Sequence, residues 1–292
     1  MRKKALFPLV GLLFWITLAA LPAKAVLNDE EFTGLCKRGS AAQVRQAVIE
    51  GADAGARTRG EGWTGLMLAA RYNPDAGVVA ELLKAGVKVN AAVNGLTALM
   101  LSTRNPNPSV TAVLLEAGAD VGARDASGWT ALMYAAKHGK SAENLKALLE
   151  AGADVHSKDN SGTEPLHLAA QANENPAVIA ELVKGGASVD AAEQHGWTPL
   201  VLAVMENPNP LVIAELLRAG ADANLKVPEL GTPLICAAQF REDTKVLDAL
   251  LKAGADVNGK NEDGMTALLH ASRTNPSPEV IRALLKAGAN VG

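Results

Sequence analysis

The feature that most constrains this chain is its own repetition. The residues that open one recurring phrase, Thr64, Thr97, Thr130, Glu164, Thr198, Thr232 and Thr266, follow each other at intervals of 33, 33, 34, 34, 34 and 34 residues. A second set, Gly86, Gly118, Gly152, Gly186, Gly220, Gly254 and Gly288, keeps step with the first. A constant period of this length describes small units that stack, because one unit cannot bury its own apolar face and relies on its neighbours to do so.

The unit from Thr198 to Asp222 shows what each copy specifies. Thr198 is placed to cap a helix and Pro199 to occupy its first position, where a missing N–H costs nothing. Leu200, Leu202 and Ala203 keep that helix slim and apolar, with Met205 and Glu206 expected to be exposed at its end. Pro208 disfavours helical geometry at Asn207 and stops the helix, and Asn209 followed by Pro210 opens a second one. Val212, Ile213, Leu216 and Leu217 form one apolar stripe along it. Gly220 supplies a left-handed C-cap, and residues 221–223 lead into an extended loop. The cap of the second helix is Asp75, Asn107, Ser141, Asn175, Asn209, Asp243 and Ser277 in successive units, all side chains that accept a hydrogen bond from a helix N-terminus.

The phrases TGLMLAA (64–70), TALMYAA (130–136), TEPLHLAA (163–170), TPLVLAV (198–204) and TPLICAA (232–238), followed by elements of the LL-x-AGAD kind, resemble the ankyrin repeat. The resemblance covers about residues 28–292. It departs from the family pattern in two ways. Most units are one residue longer through an Asn-Pro-x-Pro turn, and Glu164 replaces the first Thr, which leaves that one cap hydrogen bond open. The resemblance implies an all-α fold, an α-solenoid of ankyrin-like repeats with a helix pair plus an extended loop per unit and a period of 33–34. Residues 26–58 have two helical segments and Gly51 but no Thr-Pro opening, so they read as an N-terminal capping helix pair, and residues 59–292 as seven repeats.

Residues 1–25 differ in kind. Arg2, Lys3 and Lys4 precede an apolar run at 5–21, and Ala23-Lys24-Ala25 offers small residues where a signal peptidase requires them. The expectation is a signal peptide removed after Ala25, and an exported chain, periplasmic or secreted. An uncleaved membrane anchor is the competing reading, but the run is short for a span and is interrupted by Pro8 and Gly11. A net charge of −3 provides no global field for nucleic acid or an anionic membrane. Cys36 and Cys236 belong to layers roughly 50 Å apart at about 8–10 Å per layer, so both are expected to be free and buried. At the other end, Val280, Ile281, Leu284 and Leu285 carry a stripe with no following unit in the sequence. The chain there is a fragment, or is covered by a partner or a second copy in end-to-end self-association, or is kept soluble by Glu279, Arg282 and Lys286.

Candidates for catalysis dissolve into the repeat. Asp53, Asp120, Asp154, Asp222 and Asp256 recur at one phase and read as turn-stabilising residues. The five histidines, His138, His156, His167, His195 and His270, form no metal-ligand spacing; His167 matches the family's helix histidine, which implies structural hydrogen bonding. No cofactor, metal or catalytic residue is implied. What varies at fixed phase is more telling. Trp63, Trp129 and Trp197 stand just before the opening residue of alternate units, and the pairs Arg71/Tyr72, Arg104/Asn105 and Lys137/His138 follow the first helix. The resemblance implies that both sets face one concave side and contact a partner. Trp63, Arg71, Tyr72, Arg104, Trp129, Lys137, His138 and Trp197 are therefore the candidate partner-binding residues. Each tryptophan packing on its neighbouring loop and stiffening it is the alternative. Basic Arg57, Arg59, Arg71, Arg104, Arg124 and Lys137 gather early, and acidic Glu193, Glu206, Glu229, Glu262 and Asp263 late, which predicts a protein partner with an acidic rim. The expected function is non-enzymatic binding of a macromolecule outside the cytoplasm. Two other classes stay open: an accessory protein that protects or matures an exported enzyme, and a self-assembling structural solenoid.

Overall fold

The computed structural model describes residues 26–291, so the leader expected at residues 1–25 lies outside the described residues. Helices come in antiparallel pairs. The first is α1 (Asp29–Arg38) with α2 (Ala41–Ile49), followed by α3 (Gly65–Tyr72) with α4 (Ala76–Lys84), and α5 (Ala98–Ser102) with α6 (Ser109–Glu116). Next come α7 (Ala131–His138) with α8 (Ala142–Glu150), α9 (Pro165–Ala172) with α10 (Pro176–Lys184), and α11 (Pro199–Glu206) with α12 (Pro210–Arg218). The last are α13 (Pro233–Phe240) with α14 (Lys245–Lys252), and α15 (Ala267–Thr274) with α16 (Pro278–Lys286). Odd-numbered helices pack on odd-numbered neighbours and even on even, giving two parallel layers and an all-α solenoid.

Local chemistry sets each boundary. The Thr side chains at 64, 97, 130, 198, 232 and 266 each accept from the backbone N–H three residues on. At Glu164 the bond runs the other way: its amide donates to His167 Nδ1 at 3.3 Å. The Glu164 carboxylate is buried, with Lys158 Nζ at 3.6 Å and His156 Nδ1 at 3.8 Å, and Oε2 has no hydrogen bond. In the second layer Asp75, Asn107, Ser141, Asn175, Asn209 and Asp243 each accept from the N–H two residues on. Ser277 instead donates to Glu279 Oε2. Gly220 has φ +97°, and it closes a Schellman turn in which its N–H reaches Leu217 O and that of Ala221 reaches Leu216 O.

The first-layer helices are buried nearly all round, since each lies between two equivalents and its own second helix. Pro199 through Val204 are all buried. Met205 is half-buried rather than exposed, because its flexible thioether lies back on the core. On α12, Val212, Ile213 and Leu216 are fully buried and Leu217 sits at the core edge. The loops end in short turns, one of which pairs as a hairpin, β1 (Ala92–Val93) with β2 (Leu96–Thr97). Asn94 and Gly95 form its two-residue tip with φ of 51° and 78°, the combination that an Asn-Gly turn permits. Asp53, Asp120, Asp154, Asp222 and Asp256 each accept the N–H two residues on, as turn residues do.

A polar ladder ties the layers together. Short helices leave their last carbonyls without partners. Asn207 meets that need: Nδ2 donates to Ala170 O and Asn173 O of the preceding unit, and Oδ1 accepts from Asn209 N. Asn73, Asn105, Asn173 and Asn275 make equivalent contacts. Arg241 fills the same position in the sixth repeat and donates to Ala203 O, Val204 O and Asn207 O. Gly139 occupies it in the third, and there Asn144 Nδ2 reaches Thr103 O at 3.2 Å, leaving Asn144 Oδ1 buried and unpaired.

Replacing Asn207 by Ala removes three hydrogen bonds and leaves buried carbonyls without donors. At about 1 kcal/mol per bond the expected loss is on the order of 3 kcal/mol in urea denaturation. A loss below about 0.5 kcal/mol, the range of ordinary surface substitutions, would show that the ladder is not a principal support.

Candidate interaction surface

The C-terminal ends of the first-layer helices carry the residues singled out from the sequence. Asn105 is a buried rung of the ladder and not a surface contact, which corrects its place in the surface pair Arg104/Asn105. The stretch from Thr97 to Asn105 is one residue shorter than that from Thr64 to Asn73, and α5 is correspondingly short, so Arg104 takes the phase of Tyr72 and His138.

Six of the candidates converge, and Tyr134 joins them. Trp129 and Tyr134 meet edge to face with ring centroids 5.2 Å apart at 67°, and His138 lies 6.2 Å from the first and 6.5 Å from the second. Lys137 Nζ lies 5.2 Å from the centre of the Trp129 ring. The neighbouring layer contributes Arg104, and beyond it Arg71, and both act on His138 electrostatically. Burial foremost, then the charges of Arg104, Lys137 and Arg71, holds the His138 imidazole below its ordinary value. Burial and then Arg104 likewise lower Arg71. Tyr72, 44% exposed, receives cations on its ring: Lys37 Nζ at 4.3 Å and the Arg71 guanidinium at 5.4 Å from the centroid. Among the described residues Lys37, Arg71, Arg104 and Lys137 have no carboxylate ion-pair partner.

Two acids touch the cluster, and both are engaged. Asp125 Oδ1 accepts from the Ser127 and Trp129 amides, and Oδ2 takes the Tyr134 hydroxyl at 2.7 Å. Burial, followed by that hydrogen bond, pushes the Tyr134 phenol well up. The Trp129 indole N–H donates to Asp159 Oδ2 of the next loop at 3.1 Å, so this ring also links loops.

Trp63 and Trp197 stand apart from this cluster. Both are half-buried against the core; the Trp63 amide donates to Thr58 Oγ1 and the Trp197 amide to Glu193 Oε1. The charge lists also divide. Arg57 is occupied by Gly62 O, and Arg124 by Gly128 O and Lys158 O. Glu193 is largely buried; burial alone would raise its carboxyl, but hydrogen bonds from the His195 and Trp197 amides and the His195 ring hold it below the usual range. Glu206 remains exposed and accepts from Gln171 Nε2.

A family model described as "Ankyrin repeats (3 copies)" matches residues 34–125, 75–159, 132–227 and 206–292. The chain belongs to the ankyrin-repeat family. Ankyrin repeats are generally protein–protein interaction modules, and the fold is typically a non-enzymatic scaffold. The chain is similar to the crystal structure of the human ASB11 ankyrin repeat domain, at 26% identity and a TM-score of 0.68 over 79% of this chain and 100% of that one. No curated protein matches the chain. Among the described residues, no group of three or more His, Cys, Asp or Glu could hold a metal ion, and no helix is long and apolar enough to cross a membrane.

In the ankyrin frame, Tyr134 is the member of the cluster that sequence reasoning passed over. Its signal was present, because TALMYAA carries Tyr where the equivalent residues are Leu68, Leu101, Leu168, Leu202, Cys236 and His270. His167 plays the structural part that the resemblance implies: Nδ1 takes the Glu164 amide and Nε2 reaches Ala191 O at 2.9 Å.

Arg104→Ala removes the strongest of the charges acting on His138 without disturbing a hydrogen bond of its side chain. The His138 resonances in an NMR pH titration are expected to move up toward the ordinary value of about 6.5. An unmoved midpoint would mean that Arg104 does not act on His138.

Proposed function

We propose that this ankyrin-repeat protein binds a protein partner outside the cytoplasm, on the concave side formed by its first-layer helices, with the contact centred on the first three repeats. The observation that carries the reading is the cluster of Arg71, Arg104, Lys137 and His138 around Trp129, Tyr134 and Tyr72, whose cations lack carboxylate partners among the described residues. A half-exposed aromatic group beside unpaired arginine is the composition of an interface anchor. An acidic rim on the partner complements it and speeds encounter. Trp63 and Trp197 extend the row as outlying contacts.

Export is part of the proposal and rests on Arg2 to Lys4, the apolar run at 5–21 and Ala23-Lys24-Ala25. Both cysteines suit an oxidising compartment. They are free and fully buried, and burial pushes each thiol up to about 12, so neither presents a reactive thiolate. Cell fractionation with N-terminal sequencing should find a mature chain beginning at Val26; a cytoplasmic chain that keeps its leader would overturn this part.

Affinity capture from the exported compartment tests the binding. The intact chain should retain a client protein that Arg104→Ala combined with Trp129→Ala loses, with helicity checked for both. Equal capture would remove this surface from the reading. One dominant client that is an exported enzyme would favour the accessory role. End-to-end association is a second reading, favoured by Leu269 and Leu285 at 49% and 43% exposure. Sedimentation showing a strict monomer at all concentrations would count against it.

A further inference from the structure

The cations described above are not scattered: each successive layer carries one. Lys37 comes from α1, Arg71 from α3, Arg104 from the residues after α5, and Lys137 from α7. Those four helices pack directly on one another in order. The asparagine ladder registers the C-terminal ends of the first three, since Asn73 reaches Gly39 O and Asn105 reaches Asn73 O, and Asn144 on Thr103 O ties the unit of α7 to them. Lys37, Arg71 and Lys137 hold one phase relative to these rungs and Arg104 the next, a small zigzag within reach of long side chains. Neighbouring helices lie about 8–10 Å apart, which spaces the backbone positions that carry these charges by about that interval.

Few backbone conformations present like side chains at this spacing on one side. In a β-strand residues i and i+3 point to opposite faces. A polyproline II segment has three residues per turn and rises about 3.1 Å per residue, so every third side chain faces the same way about 9 Å from the last. Resting on the proposed protein-binding role, we infer that the first three repeats and the preceding helix pair take an acidic segment in the polyproline II conformation, with a carboxylate at every third residue. The intervening residues lie over Tyr72 and over the Trp129–Tyr134 pair, the kind of aromatic surface on which such segments dock.

The row also limits the occupant's length. In the next three units the residues at the phase of Arg71 are Gln171, Met205 and Gln239, all uncharged, and Glu206 is exposed beside them. A short acidic segment therefore fits, whereas a long polyanion would run onto Glu206. Single-strand spacing in DNA, one charge per about 3.4 Å, puts most phosphates between the cations. An acidic α-helix with carboxylates seven residues apart also advances about 10 Å, and it is the competitor that the test must exclude.

The test uses the mature chain and fluorescein-labelled synthetic peptides followed by anisotropy at low salt. The first peptide is built of Glu-Pro-Ala triplets with four glutamates. The second has the same composition with its glutamates contiguous, and the third is a helical peptide with Glu at every seventh position. The triplet peptide is expected to bind about tenfold tighter than the contiguous one, the sum of several exposed ion pairs lost from register. Arg104→Ala and Lys137→Ala should each weaken it several-fold, and raised salt should weaken it further. Equal affinity for triplet and contiguous peptides, tighter binding of the helical peptide, or better competition by a single-stranded oligonucleotide of equal charge would overturn the inference. If Arg104→Ala with Trp129→Ala loses a captured client while no triplet peptide binds, the surface reading stands and the extended acidic segment falls. If that variant keeps its client, both fall.

Discussion

Everything in this solenoid depends on the unpaired carbonyls at the ends of short helices. A helix of eight residues such as α9 or α11 has almost as many unsatisfied groups as satisfied ones, so it is a poor structure alone. The next unit completes it, through Asn207 reaching Ala170 O and Asn173 O. Apolar burial drives the layers together without fixing their alignment. The asparagine does fix it, because its amide satisfies donor and acceptor partners in only one register. Spacing along the solenoid is thereby made constant, and a row of surface side chains at the helix ends becomes a ruler.

Much of this was legible because it is local chemistry. A Thr three residues before a backbone N–H, a glycine after the second helix and an aspartate two residues before a turn amide each act within a few residues. All appear in the structure where the repeat placed them. The ladder was not legible in the same way. Asn207 read as the end of a helix, which it is, but its main partners lie 34 and 37 residues back. The signal was the recurrence of Asn two residues before the second cap, at 73, 105, 173, 207 and 275. The one-residue deletion in the second repeat also hid that Asn105 is a rung and Arg104 the surface residue.

Charge was legible only as composition. Arg57, Arg71, Arg104 and Arg124 look alike in the sequence, yet two hold loop carbonyls and two face each other across layers. Glu81 shows the same division among acids. The Arg45 side chain and then Lys84 bond to it and hold its carboxyl down to about 2, joining α2 to α4. A guanidinium bonded to backbone is architecture, and one that raises its neighbours' electrostatic energy is available to a ligand. That distinction turns on which atoms surround each guanidinium and not on residue type.

The third repeat is where the repeat's own rules are most relaxed. Gly139 gives up the asparagine rung, Asn144 replaces it with one contact and leaves Oδ1 unpaired, and Tyr134 takes a position that is Leu in four other repeats. Each change weakens local consistency, and a solenoid built from near-identical units has no structural need for any of them. They occur beside Trp129, Lys137 and His138, the densest part of the cluster. The third unit lacks a rung of its own to the second, while Asn173 still reaches back to Ala136 O and Gly139 O and registers it to the fourth. Local rules in folded proteins are most often broken at working surfaces. In this ankyrin array the departures fall in the unit where the row of unpaired charge ends, at Lys137.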